Sequence, residues 1–277
     1  MIAREELLRV KRLASRSNPR VKDWSSLSDR GSRDELGLTL AEGARLVGEG
    51  LDAPGDGRFR PVTLLVSDSG AERPEAGGLF ARAGDLGLER ISLSDDCFAK
   101  ISGLKNSDGL ALVLALNPEP ADLAVLSLPN ARWLIAAGVQ DPGNAGALAR
   151  TALAAGCSGC LFLDGADSAS PKFLRGSMGA AFRLPCLSMR TEEFLRQWRG
   201  GARLMAAATA QSGAEDYLAA EYRPPFALMV GGERGIPEEL SSLADGRVHI
   251  PLAGGVESLN LAVAAGVILF EAKRRED

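Results

Sequence analysis

From residue 131 onward the chain carries six short, almost unbroken apolar runs, all but the fourth followed by a stretch of helical composition. The runs are 131–139 (ARWLIAAGV), 159–165 (GCLFLDG), 182–188 (FRLPCLS), 202–209 (ARLMAAAT), 225–233 (PFALMVGGE) and 247–251 (RVHIP). Strands that are apolar on both sides belong to a sheet covered on both faces. Their alternation with helices predicts an α/β domain with a mostly parallel sheet. Such sheets bind ligands at the carboxyl ends of their strands. The last run leads into LAVAAGVILFEA (261–272), apolar almost all round, a pattern that predicts a buried helix.

The first half alternates as well. Residues 38–43, 61–68, 88–95 and 109–116 predict strands with helices between them, hence a small α/β domain. Ahead of them, 3–16 predicts a short basic helix, broken at Ser17-Asn18-Pro19 because proline disfavours helix in the preceding residue. Residues 21–37 predict a helix and a polar loop. Asn117-Pro118-Glu119-Pro120 has linker composition. The expected organisation is a domain over 1–117, a linker over 118–130 and a second domain over 131–277.

Of 277 residues, 45% are apolar and 25% charged, which suffices for two globular cores. The net charge of −4 excludes a globally basic nucleic-acid binder. Residues 1–33, however, carry nine Lys/Arg against four Asp/Glu, leaving the rest near −9. A basic arm on an acidic body suits contact with phosphates; a solvated amphipathic terminus has the same charge count. The charged start carries no secretory signal, and the final helix is too short and glycine-interrupted to predict a membrane span. Four cysteines without secretory context predict reduced thiols in a cytoplasmic protein. Cys157 and Cys160 have CxxC spacing, but neither a second pair nor a neighbouring histidine completes a metal site, which predicts a structural role and no metal. His249 is the only histidine, which argues against histidine-based catalysis.

Three loops combine glycine with polar residues where a strand gives way to a helix: 140–146 (QDPGNAG), 231–235 (GGERG) and 251–260 (PLAGGVESLN). Glycines there let the backbone approach a ligand closely. The first lacks the G-x-G-x-x-G spacing of a nicotinamide-binding loop. In the third, Ser258 and Asn260 have two readings: caps on the helix that follows, or one wall of a ligand site.

Taken together, Asn144-x-Gly146-x-x-x-Arg150, Gly231-x-Glu233-x-Gly235, and Ile250-Pro251 with Ser258-Leu259-Asn260 resemble the three ordered motifs of the SpoU (TrmH-like) RNA ribose 2′-O-methyltransferases of the SPOUT superfamily. The likeness covers 131–273. More loosely, 17–22 (SNPRVK) and 38–51 (LTLAEGARLVGEGL) resemble the family's small L30e-like α/β substrate-binding domain. The resemblance implies a deep trefoil knot, formed by threading the C-terminal segment through a loop. It implies S-adenosylmethionine held largely by backbone around Thr209, Gly231, Ile250, Leu252 and Leu259. It also implies a homodimer, with its active site near the subunit interface, acting on RNA, with ribosomal RNA as the expected substrate. The alternatives are a tRNA 2′-O-methyltransferase and an inactive knotted RNA-binding assembly factor.

Within that resemblance Asn144, Arg150, Glu233, Ser258 and Asn260 are the candidate catalytic residues. Methyl transfer needs an in-line oxygen nucleophile, so positioning supplies much of the acceleration. Arg150 is either the group that activates the hydroxyl or, since arginine stays protonated, the one that grips a neighbouring phosphate. Glu233 either takes the proton or is a buried carboxylate shaping its loop. Lys172 and Arg175 are candidate phosphate contacts. The family often places a second serine where this chain has Ala262, which puts a hydrogen bond there in doubt.

Overall fold

The computed structural model describes residues 2, 4–53, 57–117, 122–208 and 213–275. They form two compact units: Met1–Pro118 with Ala169–Arg183, and Glu119–Ser168 with Leu184–Asp277.

In the first unit, α1 (Arg4–Leu8) is followed by β1 (Lys11–Leu13), α2 (Pro19–Ser26), α3 (Arg30–Leu36), β2 (Leu38–Glu42), α4 (Ala44–Leu51), β3 (Phe59–Ser67), α5 (Ala76–Asp85), β4 (Glu89–Leu93), α6 (Asp95–Ile101) and β5 (Leu110–Leu116). The sheet order is β1-β4-β3-β5-β2. β4 runs parallel to β1 and β3, while β5 is antiparallel to β3 and β2. The basic helix expected over 3–16 ends at Leu8; Lys11–Leu13 instead pairs with Ile91–Leu93 as an edge strand. The polar loop expected before residue 37 contains α3, capped by Asp29 accepting from the Ser32 N–H and ended by Gly37 in left-handed conformation. Val21, Trp24, Leu27, Leu65, Ile91 and Phe98 share the core.

Part of the basic arm is paired within this unit. Arg12 pairs with Asp68, Arg20 with Glu89 and Arg30 with Asp34. The buried Arg33 donates to the carbonyls of Leu27 and Ser28 at 2.8 and 2.9 Å.

The second unit holds a seven-stranded, wholly parallel sheet. β6 (Arg132–Ala137), α7 (Pro142–Ala154) and β7 (Gly159–Leu163) come first. The chain then supplies α8 (Pro171–Ser177) to the first unit, a difference from the contiguous domain expected over 131–277. The physical reason is apolar and polar anchoring: Phe173 and Leu174 are buried, Phe182 meets Phe59 edge-on with centroids 5.5 Å apart, and Thr39 Oγ1 donates to the Ala169 carbonyl at 2.6 Å. Arg175 is used here too. Its guanidinium lies 3.1 Å from the buried Glu42 carboxylate, which also accepts from Ser102 and Gly103.

Back in the second unit follow β8 (Cys186–Met189), α9 (Thr191–Gln197), β9 (Arg203–Ala207), β10 (Glu215–Asp216), β11 (Phe226–Gly231), α10 (Glu238–Ser241), β12 (Gly246–His249) and α11 (Leu261–Arg274). The order is β10-β12-β9-β11-β6-β7-β8. Trp133, Ile135, Leu161, Phe194, Leu204, Met229 and Leu240 form one core cluster. α7 and α11 pack on each other, and α11 on β11. Helix α11 is not buried all round: Ala265, Ile268 and Leu269 are buried, but Val263 and Phe270 are 52% and 48% exposed.

The cysteines among these residues are buried and reduced. Burial pushes the Cys157 thiol up to about 12 and raises that of Cys160 as well, which suits packing and not nucleophilic chemistry. Among the described residues no helix is long and apolar enough to cross a membrane, and no cluster of metal-ligating side chains is present.

Candidate active site

The strand order explains how loops far apart in sequence meet. β12, β9, β11 and β6 are successive neighbours, all parallel, so their carboxyl ends lie along one edge. Four adjacent strands span about 14 Å there, at about 4.8 Å per step. Each of the three glycine-containing loops leaves this edge. Thr209, which follows β9, lies outside the described residues.

The first loop starts helix α7. Asp141 is its N-cap, accepting from the Asn144 N–H at 2.9 Å, and Pro142 takes the first helical position, where its missing N–H costs nothing. Asn144 is thereby fixed in the first turn with its side chain exposed. Arg150 is exposed as well but six residues on, about 9 Å further along the axis at 1.5 Å per residue. The structure therefore places Asn144 at the strand edge and Arg150 away from it.

The second loop is a tight turn. The Gly235 N–H donates to the Gly232 carbonyl at 2.9 Å, and Gly235 has φ 75°, left-handed and costly for a side-chain-bearing residue. Glu233 and Arg234 occupy its tip, both exposed. Glu233 is thus not the buried, loop-shaping carboxylate that was one of its two expected roles. Gly231 ends β11 in register with Ala137, and the Gly232 N–H donates to the Ala137 carbonyl at 2.9 Å. A Cβ on Gly232 would meet the Gly138 carbonyl oxygen. The two loops are therefore pressed backbone against backbone.

The third loop is the most open. Pro251–Asn260 are ten consecutive exposed residues outside any helix or strand. Ile250 is half-buried, whereas Leu252 and Leu259 are 39% and 36% exposed, an apolar presentation at a polar edge. Asn260 caps α11: its Oδ1 accepts from the N–H groups of Ala262 at 3.0 Å and Val263 at 3.4 Å. With the oxygen so occupied, the carboxamide keeps two N–H donors for a ligand. Ser258 lies two residues before it, exposed. His249 packs at the strand end, its Nδ1 3.1 Å from the Glu215 carbonyl oxygen.

The edge thus offers open backbone from one loop, a glycine cradle from two others, exposed leucines for an apolar ring, and asparagine, glutamate and serine side chains. That set suits a small ligand with an apolar face and polar ends. Three contributors were given no role in the sequence. Gly138 and Gly165 flank the first loop, and Gln140 ties it to Asp164; a glycine at a strand end was the one available signal.

Residues 132–270 match the SpoU rRNA methylase family, and residues 18–112 match the MRM3-like substrate-binding domain. The chain is 30% identical over 263 residues to the 23S rRNA (guanosine(2553)-2′-O)-methyltransferase RlmP of Bacillus subtilis, covering 94% of this chain and 98% of that one. It is 33% identical over 208 residues to the 23S rRNA (guanosine-2′-O-)-methyltransferase RlmB of Ralstonia nicotianae, covering 71% and 81%. The crystal structure of an AdoMet-bound rRNA methyltransferase from Sinorhizobium meliloti superposes with a TM-score of 0.81 at 31% identity, over 96% of this chain and 98% of that one. With a family match over half its length and a relative aligned nearly end to end, the chain belongs to the SpoU rRNA methylase family.

Proposed function

We propose that this protein transfers a methyl group from S-adenosylmethionine to a ribose 2′-hydroxyl of ribosomal RNA. The observation that carries the reading is the gathering of the three glycine-containing loops on the carboxyl edge of four adjacent parallel strands. The residues present fit the cofactor. Gly231 and Gly232 let the second loop close tightly on its neighbours, which shapes the edge, and Ile250, Leu252 and Leu259 offer apolar contacts to its adenine. When bound, S-adenosylmethionine supplies a methyl group on a positively charged sulfur.

The chain's own residues do the rest. A ribose hydroxyl is a weak nucleophile, so it needs a fixed approach and an acceptor for its proton. Glu233, exposed at the turn tip, is that acceptor. Asn144, Ser258 and the free N–H groups of Asn260 orient the ribose. Arg150 grips a phosphate beside the target nucleotide, a task suited to a planar, permanently charged fork. Its distance along α7 from Asn144 fits a contact to backbone phosphate better than one to the reacting oxygen.

The finer parts of the reading are a trefoil-knotted C-terminal segment, a homodimer and a cytoplasmic setting. A dimer is supported by the exposed Val263 and Phe270 on α11, seven residues apart and so on one helix face. Buried free thiols accord with a reducing compartment.

The test is ribose-methylation mapping of rRNA from cells with and without the gene, together with transfer of labelled methyl to rRNA by the purified protein. One rRNA ribose position is expected to lose its methyl group. Unchanged rRNA with a changed tRNA position would redirect the reading to tRNA, and absence of S-adenosylmethionine binding would leave a non-catalytic RNA-binding factor.

A further inference from the structure

The first loop is held from its outer side by a feature the proposed reaction does not use. Asp164 follows β7 with φ 44°, the left-handed region that side-chain-bearing residues enter rarely and that aspartate tolerates better than most. Three hydrogen bonds hold it there. Its N–H donates to the Met189 carbonyl at 3.1 Å, its Oδ2 accepts from the Thr191 N–H at 3.1 Å, and its carbonyl accepts from Gln140 Nε2 at 2.7 Å. Next to it, the Ala166 N–H donates to the Val139 carbonyl at 2.8 Å, and a Cβ on Gly165 would stand 2.9 Å from that same oxygen. Residues 138–140 are therefore wedged between Gly232 on one side and Asp164–Ala166 on the other. Gln140 is the only member of this wedge that acts through a side chain on the loop itself. It lies directly before Asp141, the cap that sets the height of Asn144.

We propose that Gln140 is a positioning residue for methyl transfer: its amide, anchored on the Asp164 carbonyl, fixes the Asp141 cap and with it Asn144 at the strand edge. Backbone bent into a rarely populated region is kept where its surroundings over-determine it, and such places gather at functional sites. A hydrogen bond that holds geometry without touching substrate affects the reacting arrangement more than ground-state binding. Its loss should therefore appear in kcat more than in KM.

The inference rests on the proposed methyltransferase reading, and the experiment separates the two. Gln140→Met removes the donor at similar size and shape; Gln140→Lys keeps an N–H donor of similar reach. The purified full chain is assayed for methyl transfer to rRNA, S-adenosylmethionine affinity, unfolding midpoint, and hydrogen exchange at the Asn144 and Ala145 amides. For Gln140→Met, kcat is expected to fall about five- to tenfold, as for loss of one neutral hydrogen bond. The RNA KM and cofactor affinity should stay near wild type and the unfolding midpoint should fall by no more than about 4 °C, while exchange at the two amides speeds up. Gln140→Lys should recover most of both losses. Wild-type kcat and exchange in Gln140→Met would overturn the proposal. So would a loss that lysine does not rescue, or one accompanied by an equal loss of protection across the whole sheet. If the wild-type chain transfers no methyl group to rRNA, the methyltransferase reading fails, and the exchange measurement still decides whether Gln140 fixes the loop.

Discussion

Gly232 lies so close to Gly138 that a methyl group placed on it would stand 2.5 Å from the Gly138 carbonyl oxygen. The obstacle is backbone on both sides, so no side-chain rotation relieves it. Gly232→Ala must push the second loop off the first, at about 1–3 kcal/mol for an overpacked contact. The expected result is a lower unfolding midpoint and at least tenfold weaker S-adenosylmethionine binding by calorimetric titration. Wild-type values in both would show that the close approach is dispensable.

Asn260 carries two roles on different atoms, and they can be separated. Asn260→Ala removes the cap and should cost about 1 kcal/mol of stability along with activity. Asn260→Asp keeps an oxygen acceptor for the Ala262 and Val263 N–H groups but loses the donors. It should keep the unfolding midpoint and lose methyl transfer. Equal activity in Asn260→Asp and wild type would reduce this residue to a cap.

Arg150→Ala should abolish methyl transfer while leaving S-adenosylmethionine affinity within about twofold, because Arg150 stands well along α7 from the strand edge. A large loss of cofactor affinity in the titration would refute the phosphate-gripping role.

The C-terminal helix should loosen in acid. Hydrogen bonds from Arg274 and Arg275 hold the Glu271 carboxyl down to about 2, from an ordinary value of 4.5. Its folded value is depressed, so its stabilising contribution is complete above pH 4.5 and is lost as pH falls toward 2. Arg275 also donates to the Ala220 and Leu218 carbonyls. Exchange protection in 217–222 should therefore fall over the same window, and Glu271→Gln should flatten that dependence. A pH-independent profile in the wild-type chain would contradict this account.

Deleting residues 1–116 should yield a poorly soluble chain, not a smaller soluble methyltransferase. The deletion strips the cover from Phe173, Leu174 and Phe182, all buried in the first unit. Light scattering of the truncated chain checks this; a monodisperse product would show that 169–183 repacks elsewhere.

Six of the seven strands of the second unit could be read in the sequence because each is an apolar run, and burial on both faces leaves few other patterns; the two-residue edge strand β10, Glu215-Asp216, has no such signal. Strand β1 could not. Lys-Arg-Leu carries no strand signal of its own, and its partner Ile91–Leu93 lies about eighty residues on. Helix α3 had its caps in view, Asp29 and Gly37, but no apolar stripe between them. The exposure of Val263 and Phe270 was hidden because an all-apolar helix does not say which side meets solvent. At the site, glycines and polar residues marked the three loops. That Gly232 would press on Gly138, or Gln140 reach Asp164, depends on β11 and β7 flanking β6, an order that composition does not encode.

Helix α8 has a consequence for how the chain is born. The first unit borrows Ala169–Arg183, which emerges from the ribosome only after β6, α7 and β7. Domains generally fold as units, N-terminal first, during synthesis. This one cannot close in that order: Glu42 waits for Arg175, and Phe59 for Phe182. From Pro118, where its N-terminal stretch ends, to Arg183, where the borrowed segment ends, the nascent N-terminal domain has an open flank. It is sealed only when the segment that joins β7 to β8 arrives, so the last step in closing the first unit waits on part of the second.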